Sequence, residues 1–109
     1  MDESQLLKGI LEGCILAVIA DGETYGYEIL TRLEACGFAS LLEGTLYPIL
    51  TRLESRGEIS CRKEKSPFGP MRKYYSITQN GKTALEKFQE NYAKITAAAN
   101  AVLRGERTE

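Results

Sequence analysis

The chain contains no histidine and no tryptophan. Without histidine it lacks the one side chain that titrates near neutrality, which excludes histidine acid–base catalysis, histidine-centred triads and most zinc or iron sites. A glycine-rich phosphate loop and a clustered carboxylate pair are missing as well, so an enzyme is not expected. Cysteine is scarce: Cys14, Cys36 and Cys61 match no C-x2-C metal pattern, and any intramolecular disulfide would leave one thiol over. The expectation is therefore no metal and no cofactor, with three buried, reduced thiols. The alternative is a cysteine that senses oxidants. Long apolar runs are lacking too, since the longest, Cys14 to Ala20, falls far short of the roughly 20 residues of a bilayer span. Acidic Asp2 and Glu3 stand where a secretory signal carries basic residues, so a cytoplasmic protein with no membrane partner is expected.

What is present suits one folded core. The chain has 109 residues, 43% hydrophobic and 27% charged, ordinary proportions for a single globular domain. A net charge of −1 argues against simple nucleic-acid binding, but the charge is unevenly spread. Residues 1–42 carry seven acidic groups against two basic, whereas residues 59–76 hold Arg62, Lys63, Lys65, Arg72 and Lys73 against Glu64 alone. A cationic patch inside a neutral chain is what a phosphate-facing element requires, although a merely solvated hairpin reads the same way.

Apolar spacing divides the chain into elements. From Ser4 to Ala20, apolar residues at 6, 7, 10, 11, 14, 15, 17, 18 and 19 form a stripe too wide for one face, so this helix must be covered on two sides. Asp21-Gly22 ends it. Thr24 is expected to cap a second helix running to Cys36, with Ile29, Leu30 and Leu33 inward and Gly37 as the stop. In EGTLYPILTRLESRG, Leu46, Ile49, Leu50 and Leu53 recur at helical spacing. Pro48 tolerates only an early position, which predicts a start near Gly44 or Thr45 with Pro48 in the first turn and Gly57 after the last. Thr45, Tyr47, Pro48, Thr51, Arg52 and Ser55 then lie away from the leucine stripe.

Ile59 to Lys65 and Met71 to Thr78 are extended runs around Ser-Pro-Phe-Gly-Pro, which reads as a β-hairpin whose arms carry the basic patch. From about Gln79 to Arg104, Leu85, Phe88, Tyr92, Ile95, Ala99 and Val102 alternate at spacings of three and four, a heptad seam that needs a partner. Thr78 to Gly81 supplies a cap, and the tail from Gly105 is polar and expected to fray.

Three helices followed by a hairpin make a winged helix-turn-helix, mainly α with a small β wing. The third helix offers hydroxyls, an aromatic and Arg52, while the wing offers cations that neutralise phosphates. Arg52 suits a guanine edge, a phosphate or an intrahelical ion pair. Tyr25 and Tyr27 suit either backbone contacts with a duplex or half-buried core positions. Winged helices also serve as protein-binding adaptors, so that alternative stays open.

YGYEIL at 25–30, EGTLYPILTRLESRG at 43–57 and PMRKYYSIT at 70–78 together resemble the PadR family of bacterial transcriptional regulators, over roughly residues 6–85. The resemblance implies a homodimeric repressor of a double-stranded DNA operator, with residues 1–78 as the DNA-binding domain. Residues 79–109 would then be a C-terminal dimerisation helix, which packs on the partner's N-terminal helix, and its tail. It assigns Thr45, Tyr47, Pro48 and their exposed neighbours Thr51 and Arg52 to the recognition helix, and Lys63, Lys65, Arg72 and Lys73 to the wing. Leu6, Ile10, Cys14, Leu85, Phe88, Tyr92, Ile95, Ala99 and Val102 are the implied dimer contacts. A small-molecule effector is implied but not identified, and the absence of tryptophan removes the stacked-tryptophan drug pocket of one multidrug-responsive relative. Phe88 and Tyr92 then serve as a flat aromatic pocket or as plain interface core.

Overall fold

Leucines and isoleucines of the first three helices meet in one core. The computed structural model describes residues 3–39 and 41–105. In chain order these form α1 (Glu3–Ala20), α2 (Gly26–Ala35), α3 (Glu43–Ser55), β1 (Ile59–Lys65), β2 (Met71–Ile77) and α4 (Gln79–Leu103). This is the expected winged helix-turn-helix order with a C-terminal helix. Leu11, Ile15, Leu16, Val18 and Ile19 of α1 are buried against Ile29, Leu30 and Leu33 of α2 and against Leu46, Ile49, Leu50 and Leu53 of α3. Ile59 and Tyr75 bring the base of the hairpin onto the same cluster.

Glycines end α2 and α3 as their sequence positions predict. Gly57 has φ +72°, its N–H donates to the Glu54 carbonyl, and the next N–H, of Glu58, reaches back to Leu53, each at 2.9 Å. Two carbonyls that the last turn leaves open are satisfied in this way. Gly37, with φ +117°, closes α2 through the same pair of bonds, donated by Gly37 and Phe38. Gly105 does likewise for α4, its N–H donating to Val102. The expected fraying beyond it concerns residues 106–109, which lie outside the described residues.

Two predicted helix starts are corrected. Thr24 does not cap α2: the N-cap position is Tyr25, which makes no side-chain capping bond. Thr24 is instead buried, exchanging backbone bonds with Tyr75 and donating its hydroxyl to Glu28 at 2.6 Å. Its sheet pairing outcompetes the cap. α3 starts at Glu43, so Pro48 sits in the second turn rather than the first. There the missing N–H deprives only the carbonyl of Gly44, and both residues are exposed, where solvent supplies the lost partner.

The hairpin pairs Ile59 with Ile77 through to Lys65 with Met71, an uninterrupted antiparallel ladder around a five-residue turn. Thr78 is not part of β2. It becomes the N-cap of α4, where its hydroxyl oxygen accepts from the Gly81 N–H at 3.1 Å and donates to the Gly57 carbonyl at 2.6 Å. Gly81 is the only buried residue of α4, and a side chain there would collide with the Glu58 carbonyl oxygen. From this joint α4 crosses α1, where the Phe88 ring occupies the space a Cβ on Gly13 would need. Beyond Phe88 it runs into solvent, and the molecule reaches 62 Å in its longest dimension.

The contact between Gly81 and Glu58 involves backbone on one side and cannot yield easily. Gly81→Ala should therefore destabilise the fold by about 1–3 kcal/mol, the usual range for overpacking. Urea unfolding with an unchanged m-value checks this.

Candidate nucleic-acid interface

Burial of Leu46, Ile49, Leu50 and Leu53 fixes the rotation of α3. Gly44, Pro48, Thr51 and Ser55 then point most directly outward, flanked by Tyr47 on the hairpin side and by Thr45 and Arg52 on the α1 side; all are exposed. The Thr51 hydroxyl donates to the Tyr47 carbonyl at 3.0 Å. It therefore presents lone pairs and a methyl group outward, an acceptor for an amino group beside a small apolar patch. Tyr47 leans on Gly26 of α2, where a Cβ would come within 2.6 Å of its hydroxyl. Arg52 forms no intrahelical pair. Its guanidinium lies 3.5 Å from Glu12 of α1, a carboxylate it shares with Arg56.

The hairpin has two chemically different faces, because side chains alternate along each strand. Cys61, Lys63, Lys65, Met71, Lys73 and Tyr75 share one face. Arg62, Glu64, Arg72 and Tyr74 share the other. On that second face the Thr24 bridge brings Tyr25 alongside Tyr74, with ring centroids 5.8 Å apart and edge to face. Arg72 covers the Tyr25 ring at 4.5 Å and Arg62 covers Tyr74 at 4.7 Å, so a cation flanks the aromatic pair on each side.

The five hairpin cations are not equivalent. Arg62 donates two bonds of 2.7 Å to Glu23 and another of 2.6 Å to Glu64, so it ties the hairpin to the α1–α2 turn and is spent as a phosphate ligand. This corrects the reading of all five as one patch. Lys63, Lys65 and Lys73 have no ion-pair partner among the described residues. Lys63 stands directly opposite Lys73, a like-charge juxtaposition that costs a hairpin stability and that an anion between them would relieve.

A cleft of about 400 Å³ separates the hairpin from the starts of α2 and α3, lined in part by Tyr25, Tyr47, Met71, Arg72 and Lys73. Thr45, Pro48 and Arg52 line a second groove, of about 510 Å³, against Leu7, Lys8 and Leu11 of α1. The α3 face is thus rimmed by cations on both sides. Tyr25 is half-buried, but Tyr27 is 69% exposed and is not a core residue.

The thiols also depart from expectation. All three are free, yet none is buried: Cys36 is exposed, and Cys14 and Cys61 are half-buried. Burial still pushes the Cys14 and Cys61 thiols above their ordinary pKa, the opposite of what an oxidant-sensing thiolate needs.

Of the expected dimer contacts, Leu85 and Phe88 are half-buried within the chain, and Ile10 and Cys14 partly so. Leu6, Tyr92, Ile95, Ala99 and Val102 are exposed, Ile95 by 65% and Val102 by 75%. The Phe88 and Tyr92 rings stack 5.8 Å apart. The roles of Glu12, Glu23 and Tyr74 were not legible in the sequence, because each depends on a partner far along the chain.

Residues 15–87 match the model of the PadR-like family of transcriptional regulators. The chain belongs to that family. A PadR-like transcriptional regulator from Bacillus cereus is 43% identical over 94% of this chain and 99% of its own, with a TM-score of 0.81. A Streptococcus transcriptional regulator is 38% identical over 92% of this chain and 98% of its own, with a TM-score of 0.78. An uncharacterized protein of Lysinibacillus sphaericus is 30% identical over 107 residues, 96% of this chain. This PadR-like chain is accordingly a transcriptional regulator, and no helix among its described residues is long and apolar enough to cross a membrane.

Hydrogen bonding to Arg62 holds the Glu23 carboxyl below its ordinary pKa. A depressed folded-state pKa contributes stability above the unfolded value and loses it as pH falls through the folded one. Glu23→Gln should therefore lower the urea midpoint at pH 7, and the gap to the parent should close as pH drops through the low carboxylate range.

Proposed function

We propose that this PadR-like chain is a sequence-specific DNA-binding repressor that acts as a cytoplasmic homodimer and is released from its operator by a small-molecule effector. Residues 1–78 grip the duplex, and residues 79–109 join two copies. The reading rests chiefly on one arrangement: an α3 face of small and hydroxyl side chains, free of core duty, beside a hairpin whose Lys63, Lys65 and Lys73 carry no ion pair among the described residues. Small groups allow a helix to sit deep in a major groove, and cations at its edge meet the flanking phosphates.

In this reading Thr45, Tyr47, Pro48, Thr51 and Arg52 face base edges and sugar, with Arg52 exchanging Glu12 for a guanine edge or a phosphate. Lys63, Lys65, Arg72 and Lys73 take phosphates, and Tyr25 supports Arg72. Dimerisation covers the apolar seam of α4 and the outer side of α1, spacing two α3 helices about one helical turn, roughly 34 Å, apart on a pseudo-palindrome. The stacked Phe88 and Tyr92 rings offer the effector a flat aromatic surface in that seam. An effector there acts by binding more tightly to a dimer whose α3 spacing misfits the operator.

Salt titration of duplex binding, read by fluorescence anisotropy, tests the DNA contacts. Affinity should fall steeply with salt, at about −0.9 in slope for each phosphate contact. Lys63→Ala or Lys73→Ala should reduce that slope by about 1 per half-site, whereas Arg62→Ala should leave it unchanged. Insensitivity to salt would refute the reading. Separately, Ile95→Glu should convert a dimer to a monomer in light scattering coupled to gel filtration, and a monomeric parent chain would refute the assembly.

A further inference from the structure

The hairpin is longer than the fold requires. Its last row with a buried member is Cys61 opposite Tyr75, and the row of Lys65 and Met71, four residues on, stands about 13 Å farther out at the usual rise per residue. At the tip, in the turn 66–70, Phe68 is 100% exposed, and Met71 beside it is exposed as well. Neither packs on the core. Pro67 and Pro70 bracket Phe68 and fix backbone angles on both sides of it, which limits the freedom of the tip. The hairpin is therefore a cationic shaft, with Lys63, Lys65 and Lys73 along one face, that ends in a bare aromatic ring.

We propose that Phe68 is an apolar wedge that enters the minor groove next to the major groove occupied by α3 and opens a base step there. The inference rests on the DNA-binding reading above and goes beyond it. A minor groove about 6 Å wide is too narrow for a two-stranded ribbon but admits a single ring at its tip. The lysines behind the ring meet the phosphates on either side of the groove, while the wedge bends the duplex toward the major groove. Wedges of this kind favour flexible pyrimidine–purine steps, so Phe68 adds sequence preference at a position that α3 never reaches. An apolar tip on a cationic shaft also suits an anionic lipid surface. The duplex is favoured because Met71 and Lys73 line one cleft with Tyr47 of α3, which aims the hairpin and the α3 face at the same object.

The test uses the full chain and 30-base-pair duplexes that it selects from a random pool, with 2-aminopurine placed step by step beyond the α3 footprint. The parent chain should raise 2-aminopurine fluorescence at one step and bend the duplex in circular-permutation electrophoresis. Phe68→Ser should abolish both signals and weaken binding about tenfold, a loss typical of one specific contact. Phe68→Leu should retain most of both. All three proteins should share one salt slope, since no phosphate contact changes. Binding by the parent without unstacking or bending, or signals that persist in Phe68→Ser, would overturn the wedge and leave the DNA reading intact. Phe68-dependent binding to phosphatidylglycerol vesicles without duplex unstacking would also overturn it. Failure to bind any duplex would overturn both readings.

Discussion

The pairing of Tyr75 with Thr24 is the joint on which the functional surface depends. Tyr75 sits opposite Cys61 within the hairpin and exchanges bonds of 3.1 and 2.8 Å with the Thr24 backbone on its other side. Its ring is buried, which pushes the phenol up to about 12. The bridge lays the segment before α2 against β2 and so fixes the angle between the hairpin and the helices. Because side chains alternate, a slip of one residue in β2 at this joint would take Lys73 off the face it shares with buried Tyr75 and put Arg72 in its place. Register here decides which cations share the core-side face of the hairpin.

Electrostatic role follows from that geometry and not from composition. Arg62 lies in the most basic stretch of the chain, yet two carboxylates hold it and it ties the hairpin to the preceding turn. Lys63 and Lys73, one residue away in register, carry the same formal charge and have no such partner among the described residues. Glu12 plays the corresponding part for α3, drawing Arg52 and Arg56 toward α1. A net charge of −1 therefore says little about the sign of the α3 rim.

Helix positions, the hairpin and the seam of α4 were legible because each is written in local spacing: leucines at three and four, prolines around one glycine, a glycine after the last turn. Gly57 and Thr78 took their expected roles for that reason. What was not legible depends on partners distant in sequence. Thr24 looks like a cap until Tyr75 claims its backbone, and Arg62 looks like a phosphate ligand until Glu23 folds against it. Pro48 lies deeper in α3 than its residue type predicts, because an exposed second turn lets water meet the orphaned carbonyl. Cysteine burial failed on a general preference of the residue type, although Gly37 marks Cys36 as the end of a helix, where it is open to solvent.

The width of the apolar stripe on α1 is answered by the chain itself only in part. Leu11, Ile15, Leu16, Val18 and Ile19 find cover from α2, α3 and β2, whereas Leu6 does not. The same holds for α4, which is anchored by Thr78, Gly81 and Phe88 and then continues for fifteen residues with Tyr92, Ile95 and Val102 in water. A helical stretch of that length is marginal without packing, and each such side chain gains about 1.5–3 kcal/mol on burial. By admitting the Phe88 ring, Gly13 sets α4 across α1 at close range, so α4 leaves the core from the helix whose Leu6 is also uncovered. One apposed surface would satisfy both at once.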